Sequence, residues 1–209
     1  MGDVEPSDGE RLSDSVPWEP WRPEEVARRF AGTRIRWYVV AGWALDLFRG
    51  GQSRDHEDIE IGVPTADFPL VQDALKDFEL DIVGSGERWP VDNIAALSMH
   101  FQTWVREPAT GVYLLDVFRD PHDGDTWICR RDRSIRMPYY DLVRFTPDGI
   151  PYMAPEVALL FKAKHLRDKD QADFDGVVGL LGDEQVSWLH DGLERIHPGH
   201  AWIDALAAR

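Results

Sequence analysis

One stretch constrains this chain more than any other: an apolar strand end, a small-residue turn, a short helix, then two acids spaced two apart. It reads Trp37-Tyr38-Val39-Val40-Ala41-Gly42-Trp43-Ala44-Leu45-Asp46, then, past Gly50-Gly51, Arg54-Asp55-His56-Glu57-Asp58-Ile59-Glu60-Ile61. On a strand, that spacing puts the Asp58 and Glu60 carboxylates on one face and both isoleucines on the other. Like charges this close raise each other's pKa, so the pair needs compensation. A divalent cation such as Mg²⁺ takes hard oxygen ligands and is commonly shared with substrate phosphates. The segment is therefore a candidate for metal-dependent phosphoryl chemistry; the bland alternative is a solvated strand edge.

The chain divides into three expected regions. Residues 1–16 are polar and acidic and read as a disordered tail. Residues 17–150 read as an α/β domain. Within it, Pro23 opens a helix to Phe30, with proline and acids in the first turn. A strand follows over 36–40, then a helix through Phe48 closed by Gly50-Gly51, a strand over 58–63 and a helix over 68–78. Strands over 96–105, 111–118 and from 126 form a meandering mixed sheet. Residues 151–209 switch to helices, starting at Pro155, near Lys169 or Asp170, near Asp183 and near His200. The fold class is α+β: an N-terminal mixed β-sheet flanked by helices, followed by a C-terminal helical bundle.

Charge narrows the partners. Of the formal −15, six acids against Arg11 in the first twenty residues supply −5, leaving −10 for the body. Such a surface disfavours DNA and RNA, whose binding relies on Lys and Arg neutralising phosphates, and suits a cationic small molecule. The single cysteine, Cys129, excludes an intrachain disulfide and a Cys-rich zinc site. With no long apolar run and no signal-like N-terminus, the expectation is a cytoplasmic protein without a membrane segment. His190, His197 and His200 are too loosely spaced for a zinc site and read as capping or packing residues.

An apolar strand, a Gly-containing turn and D-h-[DE]-h (h apolar) resemble the polymerase-β-like nucleotidyltransferase superfamily. The match is closer to its aminoglycoside and lincosamide adenylyltransferase branch, with a signature near G-G-W-A-x-D, a Gly-rich step, then R-x-H-x-D-I-D. Leu115-Asp116-Val117-Phe118 resembles the strand that carries the family's third acid. Pro155 to Ala163, with Lys169-Asp170 and Asp173-Phe174, is similar to its helical half, and Pro198-Gly199-His200-Ala201-Trp202 to its ending. The resemblance runs from about Trp21 to the C-terminus. Ala41 stands where the first of two glycines is usual, and Glu60 where the second Asp is usual. Alanine suits that position only if it does not need positive φ; glutamate remains a hard oxygen ligand, one methylene longer.

The resemblance implies transfer of AMP, or another nucleoside monophosphate, from ATP or another triphosphate to a substrate hydroxyl. Mg²⁺ would be held by Asp58, Glu60 and Asp116, the last as metal ligand or as general base. Gly42, Arg54 and Lys162 are the candidate triphosphate contacts. Their bland alternatives are a surface ion pair of Arg54 with Asp55 or Glu57, and a solvated Lys162. Asp120, Asp123 and Asp125 could face ammonium groups or simply form a wet turn. Two other readings stand beside the small-molecule enzyme. One is a toxin–antitoxin nucleotidyltransferase acting on protein or tRNA. The other is a non-catalytic nucleotide-binding homologue, suggested by Ala41 and Glu60.

Overall fold

The computed structural model describes residues 6, 9–13 and 15–209. In chain order the elements are β1 (Glu10–Arg11), α1 (Pro23–Phe30), β2 (Tyr38–Val39), α2 (Ala41–Arg49) and β3 (Glu60–Pro64). A 3-10 turn, Thr65–Asp67, leads into α3 (Phe68–Ala74), β4 (Glu79–Gly84), β5 (Glu87–Pro90), α4 (Ile94–Met99), β6 (Gln102–Arg106) and β7 (Tyr113–Asp120). Then come β8 (His122–Asp123), β9 (Thr126–Ile128), β10 (Arg136–Pro138), α5 (Tyr139–Leu142), β11 (Val143–Phe145) and β12 (Pro151–Met153). The chain finishes with α6 (Pro155–Lys162), α7 (Asp168–Val178), α8 (Asp183–Ile196) and α9 (Ala201–Ala207). This is an α+β fold with a mostly antiparallel sheet. Among the described residues no helix is long and apolar enough to cross a membrane.

Contacts divide the chain into two compact units, one built from the described part of Met1–Trp37 with His56–Asp120, the other from Tyr38–Asp55 with Pro121–Arg209. In the first unit the strands are hydrogen-bonded in the order β1-β5-β4-β6-β7-β3, antiparallel except that β3 runs parallel to β7. Alternation decides its faces. Ile59, Ile61, Val63, Leu115 and Val117 are buried on one side, and the residues between them carry the polar chemistry. The β4–β5 hairpin closes through Ser85-Gly86, with φ of 53° and 81°, the pair of positive φ angles that a type I′ turn requires. In the second unit β2, β12 and β11 are neighbours, and β8, β9 and β10 form a small antiparallel sheet. Helix α2 packs on α6, α7 and β12, and α8 packs on α6 and α9. Gly192 on α8 lets that helix approach Leu160 of α6, since a Cβ there would sit 3.2 Å from the leucine methyls.

The expected helices at 23–30 and 155–162 and around 183–196 appear where the caps and periodicity put them. Several expectations change. Residues 94–99 are a helix rather than the start of a strand, because the Asn93 side chain accepts the Ala96 N–H at 3.0 Å and caps it. The strand expected at 58–63 starts at Glu60, so Asp58 precedes it, and the helix expected to reach 78 ends at Ala74. Of the tail expected to be disordered, residues 1–5, 7, 8 and 14 lie outside the described residues. Glu10 and Arg11 pair with β5 as a strand, anchored by the 2.6 Å ion pair between Glu10 and Arg88.

Candidate functional site

In the first unit, parallel register brings Glu60 of β3 opposite Asp116 of β7. The Asp116 N–H donates to the Ile59 carbonyl at 2.9 Å, continuing the ladder back toward Asp58. The three acids predicted from sequence are thus brought to one end of this strand pair. Asp116 is only 2% exposed. Burial pushes its carboxyl well above the usual carboxylate range, and the charges of Glu60 and Asp58 push the same way, against the hydrogen bond from Gln102. Gln102 Nε2 donates to Asp116 Oδ2 at 2.5 Å, while Oδ1 is buried with no hydrogen-bond partner. An orphaned carboxylate oxygen beside two further carboxylates calls for an explanation, and a hard cation is the chemistry that fits such a donor set. Among the described residues no group of three acids, histidines or cysteines already stands in a metal-ligating arrangement.

In the second unit, α2 carries the small-residue turn. Gly42 is a buried residue of its first turn, and the strained conformation falls one residue earlier: Ala41 has φ +54°. The position occupied by alanine does adopt positive φ, the condition under which glycine would be preferred. Asp46, also buried, accepts the Ser53 hydroxyl at 2.5 Å and ties the loop after α2 back to the helix. Gly50 has φ +80° and ends α2, as its place after the last apolar turn predicts.

Arg54 and Lys162 are held by the same carboxylate. Arg54 donates to Asp173 through Nε at 3.3 Å and Nη2 at 3.1 Å. Lys162 Nζ lies 2.8 Å from Asp173 Oδ2 and 3.0 Å from Asp170 Oδ1. Burial works against the Arg54 charge, but the bond to Asp173 and the charges of Asp173, Asp46 and Asp170 raise its pKa. Asp170 is buried, which disfavours its ionised form, yet Arg167 and Lys162 hold its pKa down at about 2. Lys162 is therefore a buried, paired cation rather than the solvated lysine its Lys162-Ala163-Lys164 context suggests. Arg54 pairs with Asp173 across 119 positions of chain, and its Nη1 donates to the Asp55 backbone carbonyl at 3.1 Å.

The histidines behave as capping and packing residues. His200 Nδ1 accepts the Trp202 N–H and caps α9, His197 Nε2 lies 3.3 Å from Arg131 Nη1, and His190 pairs with Asp191. Asp120 is buried at the end of β7, while Asp123 and Asp125 are exposed. Gln102 and Asp173 were not picked out as functional residues by sequence reasoning, since each matters through a contact made only in three dimensions.

Strand order and helical packing give an α+β fold that this chain shares with solved adenylyltransferases. Within that class, the family described as Aminoglycoside-2''-adenylyltransferase matches residues 24–101, which include Asp58 and Glu60. Two kinds of solved structure share the fold. The lincosamide antibiotic adenylyltransferase LnuA, bound to lincomycin, is 17% identical with a TM-score of 0.55, covering 82% of this chain and 100% of its own. ANT(2'')-Ia is 12% identical with a TM-score of 0.55 in its solution structure, covering 88% of this chain and 91% of its own. Its crystal structure with adenylyl-2''-tobramycin gives the same identity and TM-score over 79% of this chain and 91% of its own. By sequence, no curated protein matches the chain. The resemblance to that family therefore holds in sequence over residues 24–101, and the likeness to the solved structures is one of fold.

Proposed function

We propose that this protein is a metal-dependent nucleotidyltransferase that moves AMP from ATP to a hydroxyl of a small, cationic acceptor, an antibiotic of the aminoglycoside or lincosamide kind. The observation that carries the reading is the buried Asp116, in register with Glu60 and with one carboxylate oxygen left without a partner. Asp58, Glu60 and Asp116 would hold Mg²⁺, which when bound neutralises the triphosphate and stabilises the attacking and leaving oxygens. The chain's own task at this face is to keep two or three carboxylate oxygens fixed on adjacent strands, so that no reorganisation is needed as charge moves. In the second unit Gly42, Arg54 and Lys162 are the proposed phosphate contacts. Asp173 neutralises both cations until an anion competes for them. The net −15 favours a cationic acceptor over nucleic acid and weighs against the tRNA-directed alternative.

The test is transfer of label from α-labelled ATP to tobramycin and to lincomycin, with Mg²⁺ and with EDTA. Metal-dependent labelling of either acceptor with release of pyrophosphate is expected. No labelling of either, together with no thermal stabilisation by ATP and Mg²⁺, would point instead to a degenerate homologue.

A further inference from the structure

We infer that Gln102 is a positioning residue that fixes the Asp116 carboxylate so that one chosen oxygen, Oδ1, is presented to the reaction; this rests on the transfer reading above. Gln102 opens β6, which runs antiparallel to β7 with Trp104 opposite Asp116 and Gln102 opposite Phe118. Residues 102 and 104 share one face of β6, and 116 and 118 share the same face of β7, so Gln102 is the diagonal cross-strand neighbour of Asp116. Its amide reaches across that diagonal and donates to Oδ2 at 2.5 Å. A carboxylate on a strand turns freely about its terminal torsion unless something holds it. Here one oxygen is held and the other is buried without a hydrogen bond.

The chemistry of the donor matters as much as its position. A lysine or arginine in the same place would neutralise Asp116 and compete with any cation for it. The amide offers only a neutral N–H, which orients the carboxylate and leaves its charge available. Gln102 therefore acts through Asp116. Directly across the ladder, the Trp104 indole also favours the ionised form of Asp116, but its N–H falls short of hydrogen-bond geometry, so Gln102 is the donor that fixes the orientation of the carboxylate.

The experiment compares adenylyl transfer from ATP and Mg²⁺ to tobramycin and to lincomycin by wild type, Gln102→Met, Gln102→His and Asp116→Asn. Methionine keeps the length of the side chain and removes the donor; histidine restores an N–H at similar reach. Loss of an outer partner of this kind typically lowers activity about 10–100-fold. The expected result for Gln102→Met is a fall of that size in kcat with the KM for ATP within about twofold and an unchanged stoichiometry of ATP binding. Gln102→His should recover most of the loss. Wild-type kcat in Gln102→Met overturns the inference. So does a loss of kcat matched by an equal loss of ATP-binding stoichiometry, which would mark a purely structural residue. The transfer reading is judged by the other two proteins. If wild type labels neither acceptor, or Asp116→Asn transfers at the wild-type rate, that reading falls and the inference falls with it. If wild type is active, Asp116→Asn is dead and Gln102→Met is unaffected, only the inference fails.

Discussion

Ala41→Gly should stabilise the protein, although the same exchange inside a helix normally does harm. Ala41 has φ +54° at the first position of α2. There an L-residue brings its Cβ against the following carbonyl, at a cost of roughly 1–2 kcal/mol. Glycine removes that clash but enlarges the unfolded ensemble, which offsets about 0.4–1 kcal/mol. The net expectation is a gain of about 0.5–1 kcal/mol. For a chain of this size, about 1 kcal/mol moves Tm by ~2–4 °C, so thermal unfolding followed by circular dichroism should show a rise of about 1–4 °C. Ala205→Gly, at an exposed position of α9, is the control. With ordinary helical geometry it should lose about 1 kcal/mol. Opposite signs for the two variants support backbone strain at 41. If Ala41→Gly lowers Tm as much as Ala205→Gly, the strain argument is refuted. Ala41→Val, which adds β-branching to a positive-φ position, should be worse than wild type by more than about 1 kcal/mol.

Asp58→Asn should abolish transfer while leaving Tm within a degree or two, because it removes a half-exposed ligand and no core volume; turnover near wild type would remove Asp58 from the metal set. Glu60→Asp, which restores the shorter acid, should keep or raise kcat under saturating Mg²⁺, and complete loss would show that the local geometry is built around the longer side chain. Lys162→Met should destabilise the protein by about 1.5–3 kcal/mol, read as a shift in the urea midpoint, since it removes one of the two cationic partners of each of the buried Asp170 and Asp173 and leaves Arg167 and Arg54. Asp170 has a folded-state pKa of about 2, below its ordinary 3.8. Its ionised form therefore stabilises the fold above pH 4, and this contribution is lost as pH falls from about 4 toward 2. The decline should be shallower in Lys162→Met; an equal slope would contradict the assigned pairing.

Much of this was readable in one dimension because the signals are local. Pro23 and Pro155 open helices, Gly50 closes one, and burial alternates over Asp58-Ile59-Glu60-Ile61 although strand pairing begins only at Glu60. Residues 94–99 misled for an equally local reason. The run Ile94-Ala95-Ala96-Leu97 is too short to separate helix from strand by periodicity, and the deciding signal is a single residue, Asn93 as N-cap. The β4–β5 hairpin was missed because its turn, Ser85-Gly86, lacks the usual Asn or Asp. The partners of the site residues lay beyond reach altogether. Gln102 meets Asp116 only because of the register between β6 and β7, and Arg54 meets Asp173 only after α7 has packed on α2. A contact set by register leaves no trace in spacing along the chain.

The two compact units also interleave along the polypeptide, the chain changing unit at 37/38, 55/56 and 120/121. A ribosome releases α2 early, yet the helices that cover it, α6 and α7, are made more than a hundred residues later. During synthesis the apolar side of α2, including Ala44 and Leu45, waits for its cover, a window in which nascent chains are open to misassembly. Cutting the gene at residue 120 would leave residues 38–55 without their fold. Neither unit can be exchanged as a cassette between relatives by a single crossover.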